Sequence, residues 1–223
     1  MNYRHEYKTE INTADMYEIR SRLSAAAKSD PHCIDGRYFI RSLYFDTPWD
    51  KALHEKLDGV NRREKFRIRY YNGDTGFIQL EKKSKLDGMC SKQSARLTQL
   101  QAQKIVDGDI LWMRDSENAL IRELYIKMHT QLLKPKTVVD YTREPFVYPL
   151  GNVRVTFDYN IRTGIKCTDF LNPGCVTVPV PDNPVIMEIK WDEYIPDIIK
   201  NAIQLKNRQI SAFSKYAQCR IYG

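Results

Sequence analysis

The chain has 223 residues with 35 Lys and Arg against 28 Asp and Glu, a formal charge of +7, which suits one large domain with a real core and favours anionic partners. No stretch approaches the ~20 apolar residues of a membrane span, and "MNYRHEYKTEI" at the N-terminus lacks an apolar signal core. With Cys33, Cys90, Cys167, Cys175 and Cys219 forming no CxxC or Cys/His spacing, the expectation is a soluble, cytoplasmic protein with reduced thiols and no direct membrane insertion.

In chain order, "YRHEYKTEI" alternates as a strand, with Arg4, Glu6, Lys8 and Glu10 on one parity. "NTADMYEIRSRLSAAAKSD" then reads as a helix capped by Thr13, with Met16, Ile19 and Leu23 at helical spacing. "TPWDKALHEKL" is a second helix, with Pro48 early in its first turn. "REKFRIRYY" alternates again, Lys65, Arg67 and Arg69 opposing Phe66, Ile68 and Tyr70. "FIQLEKKSK" sets Gln79, Glu81, Lys83 and Lys85 against Ile78 and Leu80. The helical segments "LTQLQAQKIVDG" and "SENALIRELYIKMHTQLL" follow. In "VRVTFDYNIRTG", Arg154, Thr156, Asp158, Asn160 and Arg162 oppose Val153, Val155, Phe157, Tyr159 and Ile161. "VIMEIKWDEY" places Glu188, Lys190 and Asp192 with Ile186 on one face and Val185, Met187, Ile189 and Trp191 on the other. "IPDIIKNAIQLKN" is a last helix. No repeat or linker divides the chain, so residues 1–223 are read as a single domain.

An amphipathic sheet normally turns its polar face to water. Five strands that combine Arg and Lys with carboxylates two residues away, beside several amphipathic helices that need an apolar surface, suggest another arrangement. The fold class expected is α+β: an antiparallel β-barrel of about eight strands forming a charged tunnel, with helices packed on the outside. Like charges ~4–6 Å apart at an effective dielectric near 20 repel by roughly 3–4 kcal/mol per pair. A triphosphate or polyphosphate relieves that repulsion, because Arg and Lys make charge-assisted hydrogen bonds to phosphate oxygens. Inward carboxylates fit if they hold a divalent metal bound to the same phosphates.

Tunnel mouth and ordinary surface remain alternatives for Lys65, Lys82, Lys85 and Arg162. Glu6, Glu81 and Asp158 read as partners that orient basic side chains. His5, His32, His54 and His129 have no ligand or triad spacing, and no Walker A, Rossmann glycine pattern or HExxH occurs. Nucleic acid is not an expected partner, because the basic residues lack interleaved aromatics for base stacking.

In "EYK", "SLYFDTP", "RIRYY", "LEKKSK" followed by "CSKQSARLT", "DYTREPFVY", "VRVTFDYNIRTG", "VIMEIKW" and "AFSKY", the chain resembles the VTC-type polyphosphate polymerase catalytic domain of the triphosphate tunnel metalloenzymes, from residue 3 to about 217. The resemblance implies a metal-dependent phosphotransferase that uses ATP and Mn²⁺ or Mg²⁺ and adds the γ-phosphate to a polyphosphate chain. Carried over, Lys8, Arg67, Arg69, Lys83, Lys92, Arg143, Arg154, Ser214 and Lys215 contact phosphates. Glu188 holds the metal with Lys190 beside it, and Lys56 of "LHEKLDG" matches more loosely as a further phosphate contact.

Arg4 stands where the cyclase and triphosphatase branch has a glutamate, which favours the polymerase branch. Ala212 replaces a lysine common in polymerase relatives. Export and regulation are left to separately encoded chains, a membrane-protein partner among them. The alternatives are a tunnel triphosphatase acting on nucleotide or inorganic triphosphate, and a non-catalytic polyanion-binding module.

Overall fold

The computed structural model describes residues 4–86, 89–205 and 213–221. Their strands are β1 (His5–Ile11), β2 (Lys28–Ser29), β3 (Tyr38–Asp46), β4 (Arg63–Tyr71), β5 (Asp74–Leu86), β6 (Met89–Leu97), β7 (Lys134–Tyr148), β8 (Val153–Thr163), β9 (Val178–Pro179) and β10 (Val185–Trp191). The helices are α1 (Thr13–Ala26), α2 (Lys51–Leu57), α3 (Gln99–Asp107), α4 (Ala119–Thr130), α5 (Asp197–Ile203) and α6 (Lys215–Ile221). Eight strands form one antiparallel path, β1-β10-β8-β7-β3-β4-β5-β6, and β2 and β9 add short pairings to β7 and β8. The sheet curls into a half-barrel, giving the expected α+β class. Among the described residues no hydrogen-bonded register joins β1 to β6. Side chains span the concave side instead: Lys83 of β5 reaches Glu6 of β1 at 3.0 Å.

The convex face is apolar at both ends. Phe66, Ile68 and Tyr70 of β4, Ile78 and Leu80 of β5, and Ala95 and Leu97 of β6 pack beneath α3 and α4. Val153, Val155 and Phe157 of β8 and Val185, Met187, Ile189 and Trp191 of β10 pack beneath α1 and α5. Full burial of such side chains contributes roughly 1.5–3 kcal/mol each, and it fixes register, because a one-residue slip would put the charged parity under the helices.

Asn12 caps α1 in place of Thr13, with its side chain accepting from the Asp15 N–H while the Asp15 carboxylate accepts from the Asn12 N–H. Pro48 lies before α2, which begins at Lys51. Buried Asp46 sets this start by accepting from the N–H groups of Ala52 and Leu53. The period-two reading of "VRVTFDYNIRTG" breaks at Asn160, whose φ of 52° lies within the irregular stretch of the β7–β8 pairing. Beyond it Ile161 joins the apolar cluster on the concave side. Arg162, for which tunnel mouth and surface were alternatives, pairs in register with Asp140 and donates to Thr177 Oγ1 at 3.0 Å.

A sixth helix was not expected. α6 packs into the concave side at one end, where Tyr216, Ala217 and Cys219 meet Ile40, Tyr44, Tyr141, Ile161 and Ile186. The concave side thus has an apolar end closed by α6 beside a charged region.

Candidate functional site

The charged region starts from strand register. In the β1–β10 pairing Lys8 lies opposite Glu188 and Glu6 opposite Lys190, so opposite charges face each other across both pairs. Lys8 Nζ lies 2.9 Å from Glu6 and 3.3 Å from Glu188, and Lys190 Nζ lies 3.5 Å and 3.3 Å from the same two carboxylates. From β7, Arg143 forks onto Asp158 of β8 at 2.6 and 2.7 Å and reaches Glu188 at 3.3 Å. Lys215, at the start of α6, meets Asp158 at 2.5 Å. On the other flank Glu81 of β5 receives Arg67 at 2.6 Å, Arg69 at 3.7 Å and Lys92 of β6 at 2.5 Å. Hydroxyls aim the arginines: Arg67 donates to Tyr44 Oη and Arg69 to Tyr141 Oη, each at 2.8 Å.

Nine cations (Lys8, Lys65, Arg67, Arg69, Lys83, Lys92, Arg143, Lys190 and Lys215) therefore face four carboxylates (Glu6, Glu81, Asp158 and Glu188), an excess of five positive charges. Burial disfavours charge on the carboxylates, yet the cations win. Lys8, Lys190 and Arg143 hold Glu188 well below the usual carboxylate range, and Arg67, Arg69 and Lys92 do the same for Glu81. Asp158 is brought down to about 2 by Arg143 and Lys215 against its burial. Burial lowers Lys190, and Glu188 and Glu6 do not fully restore it. Glu6 is lowered too, its burial and the nearby Glu188 being outweighed by Lys8, Lys83 and Lys190, so all four carboxylates remain ionised at neutral pH.

Nine of the residues expected at the site come together here: Lys8, Arg67, Arg69, Lys83, Lys92, Arg143, Glu188, Lys190 and Lys215. Ser214 meets Lys65 at 3.1 Å. Lys56 stands on α2 near the rim, its pKa lowered by burial and then by Arg63, Lys8 and Lys85. Arg154 lies opposite Lys190 in register but pairs with Asp30 at 3.1 Å. It lines a separate hollow of about 320 Å³ with Arg4, Lys28 and Tyr148. Ala212 lies outside the described residues. Lys82 belongs to the convex face, over the Phe66 ring and 3.2 Å from Glu64. Ser42, Tyr44 and Tyr141, which aim the arginines, were missed. The signal for the first two was the alternation of Ser42 and Tyr44 with Leu43 and Phe45 in "SLYFD".

Among the described residues no group of three or more His, Cys, Asp or Glu side chains could hold a metal ion. Glu6 and Glu188 nonetheless share two ammonium groups, so positive charge already lies between paired carboxylates. That donor set fits a hard divalent cation that takes one or two carboxylates and completes its shell with phosphate oxygens and water.

The sequence matches the VTC domain over residues 3–222. No curated protein matches it. Among solved structures, a candidate adenylate cyclase from Bacillus halodurans is similar at a TM-score of 0.54 and 13% identity, over 85% of this chain and 80% of that one. A protein from Pyrococcus horikoshii OT3 gives 0.48 at 16% identity over 97% and 99%. At such identity the Bacillus likeness is one of fold.

Proposed function

The chain belongs to the VTC domain family, and from that premise we propose that this tunnel-type, phosphate-handling enzyme is an ATP-dependent polyphosphate polymerase. The observation that carries the reading is the convergence of nine cations on four carboxylates along one concave face. An excess of that size, aimed by hydroxyls and carboxylates, suits a ligand with several adjacent negative charges better than a singly charged one.

In this reading Arg67, Arg69, Lys83 and Lys92 grip the triphosphate from β4, β5 and β6, while Lys8, Arg143, Lys190 and Lys215 grip it from the opposite flank. Arg154, held by Asp30, serves an outlying phosphate at the rim. A Mn²⁺ or Mg²⁺ ion held by Glu188, with Glu6 beside it, would neutralise charge on the phosphate oxygens. A terminal phosphate oxygen of the acceptor chain attacks the γ-phosphorus in line. The bond to the β-phosphate oxygen breaks, ADP leaves and the chain gains one phosphate. Phosphoryl transfer needs alignment and charge stabilisation more than covalent help, and the attacking oxygen is already anionic.

The test is incubation of the purified protein with ATP and Mn²⁺ or Mg²⁺, followed by gel resolution of the products. Long polymer supports the polymerase. Free phosphate alone assigns a triphosphatase, and neither product leaves a polyanion-binding module. Glu188→Gln removes the carboxylate but leaves Lys8, Lys190 and Arg143 in place, so turnover falls by about 100-fold or more while triphosphate affinity is kept or rises. Unchanged turnover at saturating metal would remove Glu188 from the reaction.

A further inference from the structure

Eight of the nine channel cations have a carboxylate within 4 Å; among the described residues Lys65 has none. Its Nζ meets Ser214 Oγ at 3.1 Å and lies 5.4 Å from the centre of the Tyr216 ring. Lys56 of α2, Arg63 of β4 and Lys8 of β1 all act against its charge, and Asp46 of β3 acts for it. Glu55 of α2 and Glu64 of β4 line the same small hollow as Lys65, together with Lys51 and Lys127. Lys83 of β5 is its cross-strand partner, and Arg67 follows two positions along β4 on the same face. An ammonium so placed has a hydroxyl for company and, among the described residues, no carboxylate within 4 Å. Burial first, then Lys56 and Arg63, bring its pKa down to about 7.

We propose that Lys65 and Ser214 form a proton-linked phosphate subsite, in which an anionic oxygen entering beside Lys65 Nζ and Ser214 Oγ supplies the close counter-charge that Lys65 lacks, so that the channel takes up its polyanion together with one proton. The inference rests on reading the channel as a phosphate site and adds to it a thermodynamic coupling. An anion that raises the proton affinity of Lys65 must itself bind more tightly when Lys65 is protonated. Because the anion raises this pKa, affinity is full below the free value near 7 and falls as pH rises through it. Between pH 7 and pH 8 the protonated fraction drops from about a half to about a tenth, so affinity weakens about fivefold.

Calorimetric titration with tripolyphosphate at pH 8, in two buffers of different ionisation heat, counts the protons taken up. Wild type should take up close to one proton more per anion than Lys65→Met, a difference in which protonation changes of the probe itself cancel. Lys65→Arg, charged at every pH used, should bind at least as tightly as wild type at pH 8, lack the extra proton and lose the fivefold pH dependence. An equal proton count in wild type and Lys65→Arg, or an equal pH slope, overturns the subsite even if Lys65→Met does not fold. Tripolyphosphate binding that passes these comparisons without any difference refutes the subsite alone. Absence of binding by wild type at pH 6.5 overturns the phosphate channel and the subsite together.

Discussion

Asp158 shows how one carboxylate supports several cations. It is fully buried, accepts both arms of the Arg143 fork and meets Lys215. Removing one partner of a buried pair leaves the other charge uncompensated, at a cost of about 3–5 kcal/mol. Asp158→Asn is therefore expected to lower urea stability by about that amount at pH 7. The pH dependence has a definite sign. With a folded pKa of about 2 against 3.8 for the ordinary group, Asp158 contributes stability that is complete above pH 4 and lost as pH falls from 4 through 2. That share is about 2 kcal/mol. Denaturation midpoints between pH 5 and pH 2.5 should fall less steeply in Asp158→Asn than in wild type, and parallel curves would show that the pair does not control acid stability.

At the scale of elements, Asp46 ties three of them together. It ends β3, accepts from the backbone of α2 at Ala52 and Leu53, and accepts the Tyr216 hydroxyl of α6 at 2.7 Å. Since α6 carries Lys215 and follows Ser214, this one carboxylate helps place both in the channel. Tyr216→Phe leaves Asp46 with its backbone donors and should cost about 1 kcal/mol. Asp46→Ala removes the acceptor of four donors, the N–H groups of Thr47, Ala52 and Leu53 and the Tyr216 hydroxyl, should cost about 2–4 kcal/mol, and should weaken tripolyphosphate binding as α6 loosens. Undiminished binding would mean that α6 holds its place by apolar contacts alone. The sequence made some elements plain and concealed others for a physical reason. β4, β8 and β10 have one face under helices and the other in the charged channel, so their parity is visible. β3 is covered on both sides, Leu43 and Phe45 beneath α4 and Ile40 and Tyr44 beneath α6, so the short alternation of "SLYFD" does not extend through "YFIRSLYFD". α6 is seven residues long and is held by tertiary contacts, too short to announce itself by periodicity. The Asn160 irregularity, which turns Arg162 away, also left no periodic signal.

At the scale of the whole molecule, the curl of the sheet turns strand parity into function. Glu6 lies on β1, the first strand of the path, and Lys83 on β5, the last but one, and they meet only because the sheet bends back on itself. The bend concentrates an excess of four positive charges, five when Lys65 is protonated, within a partly buried space, where bulk ions screen poorly. A multivalent anion should neutralise them best and stabilise the fold by mass action, by about 2.7 kcal/mol at 100 times its Kd. For a chain above 150 residues that corresponds to a rise in Tm of about 5–11 °C. Tripolyphosphate should produce this rise in thermal unfolding, adenosine should produce none, and 1 M NaCl should shrink the tripolyphosphate effect only in part, because bulk ions screen partly buried charges less than exposed ones. Arg67→Ala with Arg69→Ala, which removes both channel arginines of β4, should remove most of the shift. If the double variant gains as many degrees from tripolyphosphate as wild type, the anion binds elsewhere and the curled face is not its site.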